Sequence, residues 1–484
     1  MWISGGPGEK WGRIMELGGF SAAQWIVLIQ HELLLFTGLM FLAGAVDEWA
    51  VDLLWIYYRL TGRARTTHLT ADFDGTAQLV RRTAVMIPAW AESEVIGITI
   101  QRILHVWPQG ELRLYVGIYP NDPETMAAAT EAAGEDPRVR LVVETQPGPT
   151  TKAGCLNSLY LAILRDEQRG LGRIETVILH DAEDMVDRAA LLLIDKAMAS
   201  ADFVQLPVLP APQPSSRWIG SHYCEEFAEA HGKAMVVRGL GGASIPSAGV
   251  GCAIDRSWLD RVAQGHSSGL PFAADSLTED YELGLTLGEL GAKAQFLRER
   301  DGSGHLVATR ACFPSGITEA VRQKTRWVNG IALHGWDRIG WTRSPFEIWM
   351  RLRDRRGPLT ALVLALSYFA LALAAGLQIA HWLGWGPAFR LTPVLRFVLL
   401  ASAFALAWRA AWRFAFTASE YGLVEGIRAV ARIPLANIIA IMAGRRACVA
   451  YWRTLRGAAV TWDKTSHSGH PVMDGDGRFA KVRK

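Results

Sequence analysis

The sequence predicts an α/β domain, a sheet with helices on both faces, flanked on each side by membrane-spanning helices. Three observations predict it. Short β-rich runs alternate with helical stretches from about 66 to 345. Long apolar stretches precede and follow that region. Arg and Trp collect at the borders between the two textures, as suits residues at a bilayer interface. The expected division is 1–65, N-terminal transmembrane or interfacial helices; 66–345, the α/β domain; 346–462, interfacial and transmembrane helices; and 463–484, a flexible polar tail.

The elements follow in order. The stretch 22–46, "AAQWIVLIQHELLLFTGLMFLAGAV", is long enough to cross a bilayer, although Gln30, His31 and Glu32 interrupt it. It lacks a basic start and a small-residue cleavage pattern, so a cleaved signal peptide is not expected. "DEWAVDLLWIYYRL" is amphipathic and reads as an interfacial helix or a second short crossing. "RTAVMIPAW" (82–90), "LRLYVGIYP" (112–120), "VRLVVE" (139–144) and "ETVILHD" (175–181) read as buried strands bounded by turn residues. "ESEVIGITIQRILHVW" and "TKAGCLNSLYLAILRDEQ" read as helices between them. Beyond 345, "LTALVLALSYFALALAAGLQIAHWLG" (359–384) and "PVLRFVLLASAFALAWRAAWRFAF" (393–416) are transmembrane candidates. "LVEGIRAVARIPLANIIAIMAG" (423–444) holds Glu425, Arg428, Arg432 and Pro434, and reads as a re-entrant or interfacial helix. Basic residues after the first span and before 359 place the α/β domain on the cytoplasmic side by the positive-inside rule.

Bulk properties agree. Half of the 484 residues are hydrophobic and 19 are Trp. A net charge of +3 gives no reason to expect a nucleic-acid partner. Cys155, Cys224, Cys252, Cys312 and Cys448 lack metal-ligand spacing and read as reduced thiols.

Three short motifs carry candidate chemistry. In "VILHDAEDMVD" (177–187) an apolar strand ends in Asp181, Glu183 and Asp184. Crowded carboxylates repel unless a cation sits among them, and hard oxygen ligands suit Mg²⁺ or Mn²⁺ shared with substrate phosphates. The same turn is readable as a solvated acidic cap for the next helix. In "SLTEDYELGL" (276–285) Asp280 is either a general base or part of an ordinary helix cap after Thr278. In "VRQKTRWVNG" (321–330) a helix would set Gln323, Arg326 and Trp327 on one face. That face offers an amide, a phosphate-seeking guanidinium and a flat ring for a sugar, or else an Arg/Trp anchor at a membrane.

Taken together, Asp181-Ala182-Glu183, Thr278-Glu279-Asp280 and Gln323-Lys324-Thr325-Arg326-Trp327 resemble the motifs of membrane-integrated glycosyltransferase family 2 synthases, such as cellulose and hyaluronan synthases. The chain also resembles the bacteriophage-adsorption protein B group, NfrB-like inner-membrane glycosyltransferases. "YPNDPET", "PGPTTKAGCLN", "LHDAEDMV", "EEFAEAHGK", "PSAGVG" and "TWDKTSH" (461–467) carry that likeness. Members of the group commonly carry a further C-terminal domain thought to sense cyclic di-GMP, and this sequence stops soon after "TWDKTSH".

The resemblance implies a GT-A (Rossmann-like) glycosyltransferase domain and an inverting, metal-dependent transfer from a UDP- or GDP-sugar to a glycan or lipid-linked acceptor. It implies Asp280 as base, with Glu279 and Trp327 toward the acceptor. Asp181, Glu183 and Asp184 would hold Mg or Mn. Glu92, Asp122, Lys152, Asn157, Gln323 and Arg326 would bind the donor. A multi-pass protein of the bacterial inner membrane, a role in exopolysaccharide synthesis and an outer-membrane export partner are further expectations. The alternative is a non-catalytic glycosyltransferase-like subunit of a secretion or phage-receptor system.

Overall fold

A computed structural model of the chain describes residues 22–70, 75–385 and 389–458. The expected polar tail at 463–484 and the "TWDKTSH" segment lie outside the described residues.

The α/β domain is built on a seven-stranded sheet. Its order from one edge is Val139–Val143, Leu112–Ile118, Thr83–Pro88, Thr176–Leu179, Cys252–Asp255, Phe203–Gln205 and Ala294–Phe296. The first four strands run parallel. Cys252–Asp255 is antiparallel to both of its neighbours. Alternation along each strand divides the core. Val85 and Ile87 point to one layer, with Ile96, Ile100 and Ile103 of the helix Ile96–Val106. Ala84 and Met86 point to the other, with Leu156, Leu159 and Ile163 of the helix Lys152–Gln168. Each fully buried Ile or Leu contributes roughly 1.5–3 kcal/mol relative to exposure. The strand at Val139–Val143, expected to be buried, is a half-exposed edge. Its apolar run has a single neighbouring strand, Leu112–Ile118.

Among the described residues, four helices are long and apolar enough to cross a membrane. The first, Ala22–Leu60, is one continuous helix, so the amphipathic stretch after 46 is neither a separate crossing nor a separate interfacial helix. Three of its acids have partners in the rest of the protein. Asp47 and Glu48 meet Arg353 and Arg356, and Asp52 receives Lys233 Nζ at 2.6 Å. The arginines of "RLRDRRG" are likewise protein-bound rather than turned to a lipid interface. Arg351 is fully buried between Glu289 and Glu347, and Arg355 stacks against Trp336 and Trp341.

Gly357–Trp382 and Pro393–Tyr421 form the next two long helices. Thr392 caps the latter by accepting from Leu395 N, ahead of Pro393 in its first turn. The stretch expected as one interfacial helix is divided at Arg432 into Leu423–Ala431 and Ile433–Leu455. The last helix qualifies as a crossing by length and composition and packs on Gly357–Trp382, where Asn437 donates to Tyr368 Oη at 3.2 Å, yet it also touches the α/β domain near its start, middle and end. Arg432, just before it, binds Glu225; Ala443 O lies 3.5 Å from Thr325 Oγ1; and Tyr451 donates to Asp337 at 2.6 Å. At roughly 1.5 Å per residue a helix of this length spans about 34 Å, so a helix running out through a bilayer would carry one end away from the domain.

Candidate functional site

Parallel strands deliver their C-terminal ends to one side of a sheet, where ligands of open α/β folds bind. One cavity opens there. Its lining comes from many separate stretches of sequence, among them residues from 88–92, Tyr119, residues from 150–155, Asp181–Asp184 and Leu277–Asp280, and it is closed by Gln323, Arg326 and Trp327. Ten of the twelve residues singled out from sequence line it: Glu92, Lys152, Asp181, Glu183, Asp184, Glu279, Asp280, Gln323, Arg326 and Trp327.

The acidic turn does two different jobs. Asp181 extends from the end of Thr176–Leu179 and meets Lys152 Nζ at 2.5 Å. Asp184 is turned inward and almost fully buried. Its Oδ2 accepts from Asp181 N at 2.9 Å and lies 2.9 Å from His180 Nδ1. Burial pushes the Asp184 carboxyl up, against the opposing pull of His180. None of the three acids caps the next helix, Ala190–Ala197, whose N-cap residue Ala189 makes no side-chain capping bond; Asp187 accepts from Ala189 N at 2.9 Å just ahead of it.

Lys152 opens the helix Lys152–Gln168, the end at which the helix dipole disfavours a cation. Burial works against its charge as well, but Asp181, Glu279 and Asp280 outweigh it and hold the ammonium above the usual lysine range. Glu279 is pushed up to about 7, first by burial and then by Asp280 beside it.

Thr278 is the N-cap residue of Glu279–Glu289, but its side chain makes no capping hydrogen bond. The loop "PSAGVG" supports Asp280 from behind. Gly249 adopts φ +73, and a Cβ there would sit 2.3 Å from Asp280 Oδ2, so only glycine allows this approach. Gly330 plays the same part against Thr278.

The third motif is the end of the helix Ile317–Trp327, which passes directly into the π-helical segment Val328–His334. Gln323 is buried, and Trp327 stands edge-on to Tyr223, Phe227 and Phe313 with ring centroids 6.1–6.4 Å apart. These side chains face the cavity.

Two expected donor residues lie outside the cavity lining. Asp122 caps the helix Pro123–Ala133 by accepting from Thr125 N, and it also accepts from Ala91 N at 2.6 Å. Asn157 is clamped to the Phe272 backbone, donating to its O at 2.8 Å and accepting from its N at 3.1 Å. Both satisfy backbone groups rather than face the cavity. Conversely, Trp90, Tyr119, Thr150, Phe227 and Phe313 line the cavity without having been singled out. Trp90 and Tyr119 pack edge-on at 5.0 Å, and Tyr119 Oη lies 2.6 Å from Thr150 Oγ1. Their position directly after strand ends was the available signal.

Among the described residues no three ligating side chains are grouped closely enough to hold a metal by themselves. Asp184 is committed to the turn, which leaves Asp181 and Glu183 toward the cavity. Two carboxylates still fit Mg²⁺ or Mn²⁺, because such ions commonly take one or two protein carboxylates and complete their shell with substrate phosphates and water.

The sheet order, the cavity at its strand ends and the flanking apolar helices define a GT-A glycosyltransferase fold joined to membrane-type helices. Residues 81–330 match the family described as glycosyltransferase like family 2, and the chain belongs to that family. It is 33% identical over 420 residues to bacteriophage adsorption protein B of Escherichia coli K12, and equally to bacteriophage N4 adsorption protein B of Escherichia coli O157:H7. The alignment covers 82% of this chain and 56% of each relative, so the chain spans about half the length of the curated relatives it matches. Among solved structures, a mannosyltransferase from Pyrobaculum calidifontis, in complex with GDP-Man and Mn²⁺, aligns with TM-score 0.51 at 18% identity. That alignment covers 81% of this chain and 97% of the other.

Proposed function

We propose that this glycosyltransferase is an inverting, Mg²⁺- or Mn²⁺-dependent enzyme of the bacterial inner membrane with its α/β domain in the cytoplasm. It moves a sugar from a UDP- or GDP-sugar to a glycan or lipid-linked acceptor in exopolysaccharide synthesis. The supporting observation is convergence: acids, a lysine, a candidate base and a Gln–Arg–Trp face, from distant parts of the chain, line one cavity.

The roles follow from position. Asp280, held by the Gly249 loop, takes the proton from the acceptor hydroxyl as its oxygen attacks the anomeric carbon. The bond to the donor diphosphate breaks on the opposite face, so configuration inverts. Asp181 and Glu183 would hold the divalent ion, which when bound supplies charge stabilisation for the departing diphosphate. Arg326 adds a fixed cation on the same side, and Lys152 balances the acids while no other cation is present. Trp327, braced by three aromatic neighbours, offers its face to the acceptor sugar. Trp90 and Tyr119 offer ring surface to the nucleobase.

The test uses the full chain in detergent with a panel of UDP- and GDP-sugars, reading nucleotide release with and without Mn²⁺. Asp280→Asn is expected to lower turnover by roughly 10²–10⁴-fold while donor binding persists. Undiminished turnover in that variant would remove Asp280 from the base role.

A further inference from the structure

The strand Thr83–Pro88 reaches the cavity and then turns sharply. Ala89 N still donates to Gly117 O at 2.9 Å, which continues the ladder with Leu112–Ile118. Beyond it the chain leaves the sheet. Ala91 adopts φ +51, and among the described residues no other residue except glycine has a left-handed backbone. The Cβ of an alanine disfavours that conformation by roughly tenfold in population. Strain of this kind persists only where the surroundings impose it, and it gathers at functional sites.

Two side chains at the start of the helix Pro123–Ala133 impose it here. Asp122 Oδ2 accepts from Ala91 N at 2.6 Å, and Thr125 Oγ1 accepts from Glu92 N at 2.9 Å. Asp122 is also the N-cap residue of that helix, with Oδ1 accepting from Thr125 N at 3.3 Å. The cap takes the longer bond and the strained turn the shorter one. Capping alone does not call for an aspartate, since serine caps about as well. The second carboxylate oxygen is what reaches the turn.

The residue between strand and turn is Trp90. Its ring lines the cavity and packs edge-on against Tyr119 at 5.0 Å. It also meets Gly148, where a Cβ would lie 2.4 Å from two atoms of the six-membered ring. Asn121 fixes Gly148 in turn, donating to its O at 2.8 Å and accepting from its N at 2.7 Å. Asn121 and Asp122, adjacent in one loop, thus grip the two segments that frame a single indole.

We propose that Asp122 is a positioning residue for donor binding. It keeps Ala91 in the left-handed turn and so sets the Trp90 ring in the orientation on which the nucleobase of the donor stacks. Asn121 supports the same ring through Gly148. The ligand named here rests on the nucleotide-sugar reading given above; the setting of the ring does not. Asp122 lies outside the cavity lining, so its effect on binding passes through the turn.

Asp122→Ser separates the two jobs. Serine keeps the cap, but its single hydroxyl cannot also serve Ala91 N, so the melting transition is expected to stay close to the wild type's. UDP and GDP are titrated against the full chain in detergent with Mn²⁺ saturating. The one that binds the wild type is expected to bind Asp122→Ser about tenfold more weakly, because apparent affinity falls with the fraction of chains that hold the turn. Glycine takes positive φ about as readily as negative, so the double variant D122S/A91G is expected to regain binding to within about threefold of the wild type. A fluorine NMR spectrum of fluorotryptophan-labelled chains, with the Trp90 line assigned through Trp90→Phe, reads the ring without nucleotide. That line is expected to move or split in Asp122→Ser and to return in the double variant. An unchanged affinity or an unchanged Trp90 line in Asp122→Ser overturns the proposal, and so does a loss that Ala91→Gly fails to recover. If the wild type binds neither UDP nor GDP while the Trp90 line depends on Asp122 and is restored by Ala91→Gly, the donor reading fails and the positioning of the ring stands.

Discussion

Arginine is used in two ways in this molecule. Where the helices Ala22–Leu60, Pro393–Tyr421 and Leu423–Ala431 meet the α/β domain, each buried arginine is met by acids from a distant part of the chain. Arg432 lies between Glu225 and Glu425 at 2.6 Å, and Arg298 and Arg300 share Glu420 at 2.6 and 2.8 Å. Arg353 and Arg356 share Asp47 and Glu48. In the cleft beside Arg326 five arginines gather, and among the described residues no acid is in the lining. The difference teaches how to read charge here. A cation whose partner is built into the chain holds elements together; an exposed one such as Arg453, with no acid across the cleft among the described residues, carries no such load.

The largest test of that contrast is Arg432→Gln. Arg432 and Glu225 are both fully buried, and the change leaves a buried carboxylate with a weaker partner. Breaking one side of such a pair costs about 3–5 kcal/mol, so the melting transition is expected to fall steeply and expression with it. A transition within a degree of the wild type's would show that the seam is not held by charge. The acidic turn offers a smaller version of the same contrast. Asp184→Asn disturbs a buried acceptor that serves Asp181 N and His180, and is expected to destabilise by about 1–3 kcal/mol. Asp181→Asn touches only the partly exposed pair with Lys152 and is expected to lose Mn²⁺-dependent donor binding with little change in melting. If the two variants exchanged these behaviours, the division of labour within the turn would be wrong.

The sequence shows the first four strands because each is a continuous apolar run bounded by turn residues. It does not show Phe203–Gln205, Cys252–Asp255 or Ala294–Phe296, which are three or four residues long, too short for periodicity to register. The motifs were legible because each fits within ten residues and follows a strand or opens a helix. Their internal roles were not. Asp181 and Asp184 are equivalent on paper, and only the turn that folds Asp184 back onto His180 separates them. Asp122 and Asn157 looked like ligands for a nucleotide because their segments do reach the strand ends, but their side chains satisfy backbone groups. The seam was least legible of all. Glu225 and Arg432 are 207 positions apart, and an arginine at the edge of an apolar run looks the same whether lipid or a buried glutamate awaits it.

The smallest expected effect bears most directly on the cleft beside Arg326. Arg453 is exposed, has no acid across the cleft among the described residues, and shares the space with four other arginines. Arg453→Gln is expected to change stability by no more than about 0.5 kcal/mol, and the sign is informative. Removing one of five like charges relieves repulsion, so at low ionic strength the variant should melt at the same temperature as the wild type or slightly above it. Added salt should erase that difference, because exposed charges are screened beyond a Debye length of about 10 Å at 0.1 M. A clear loss of stability in Arg453→Gln without any ligand would mean that this arginine already has a partner in the folded chain, and the distinction between the seam and the cleft would disappear.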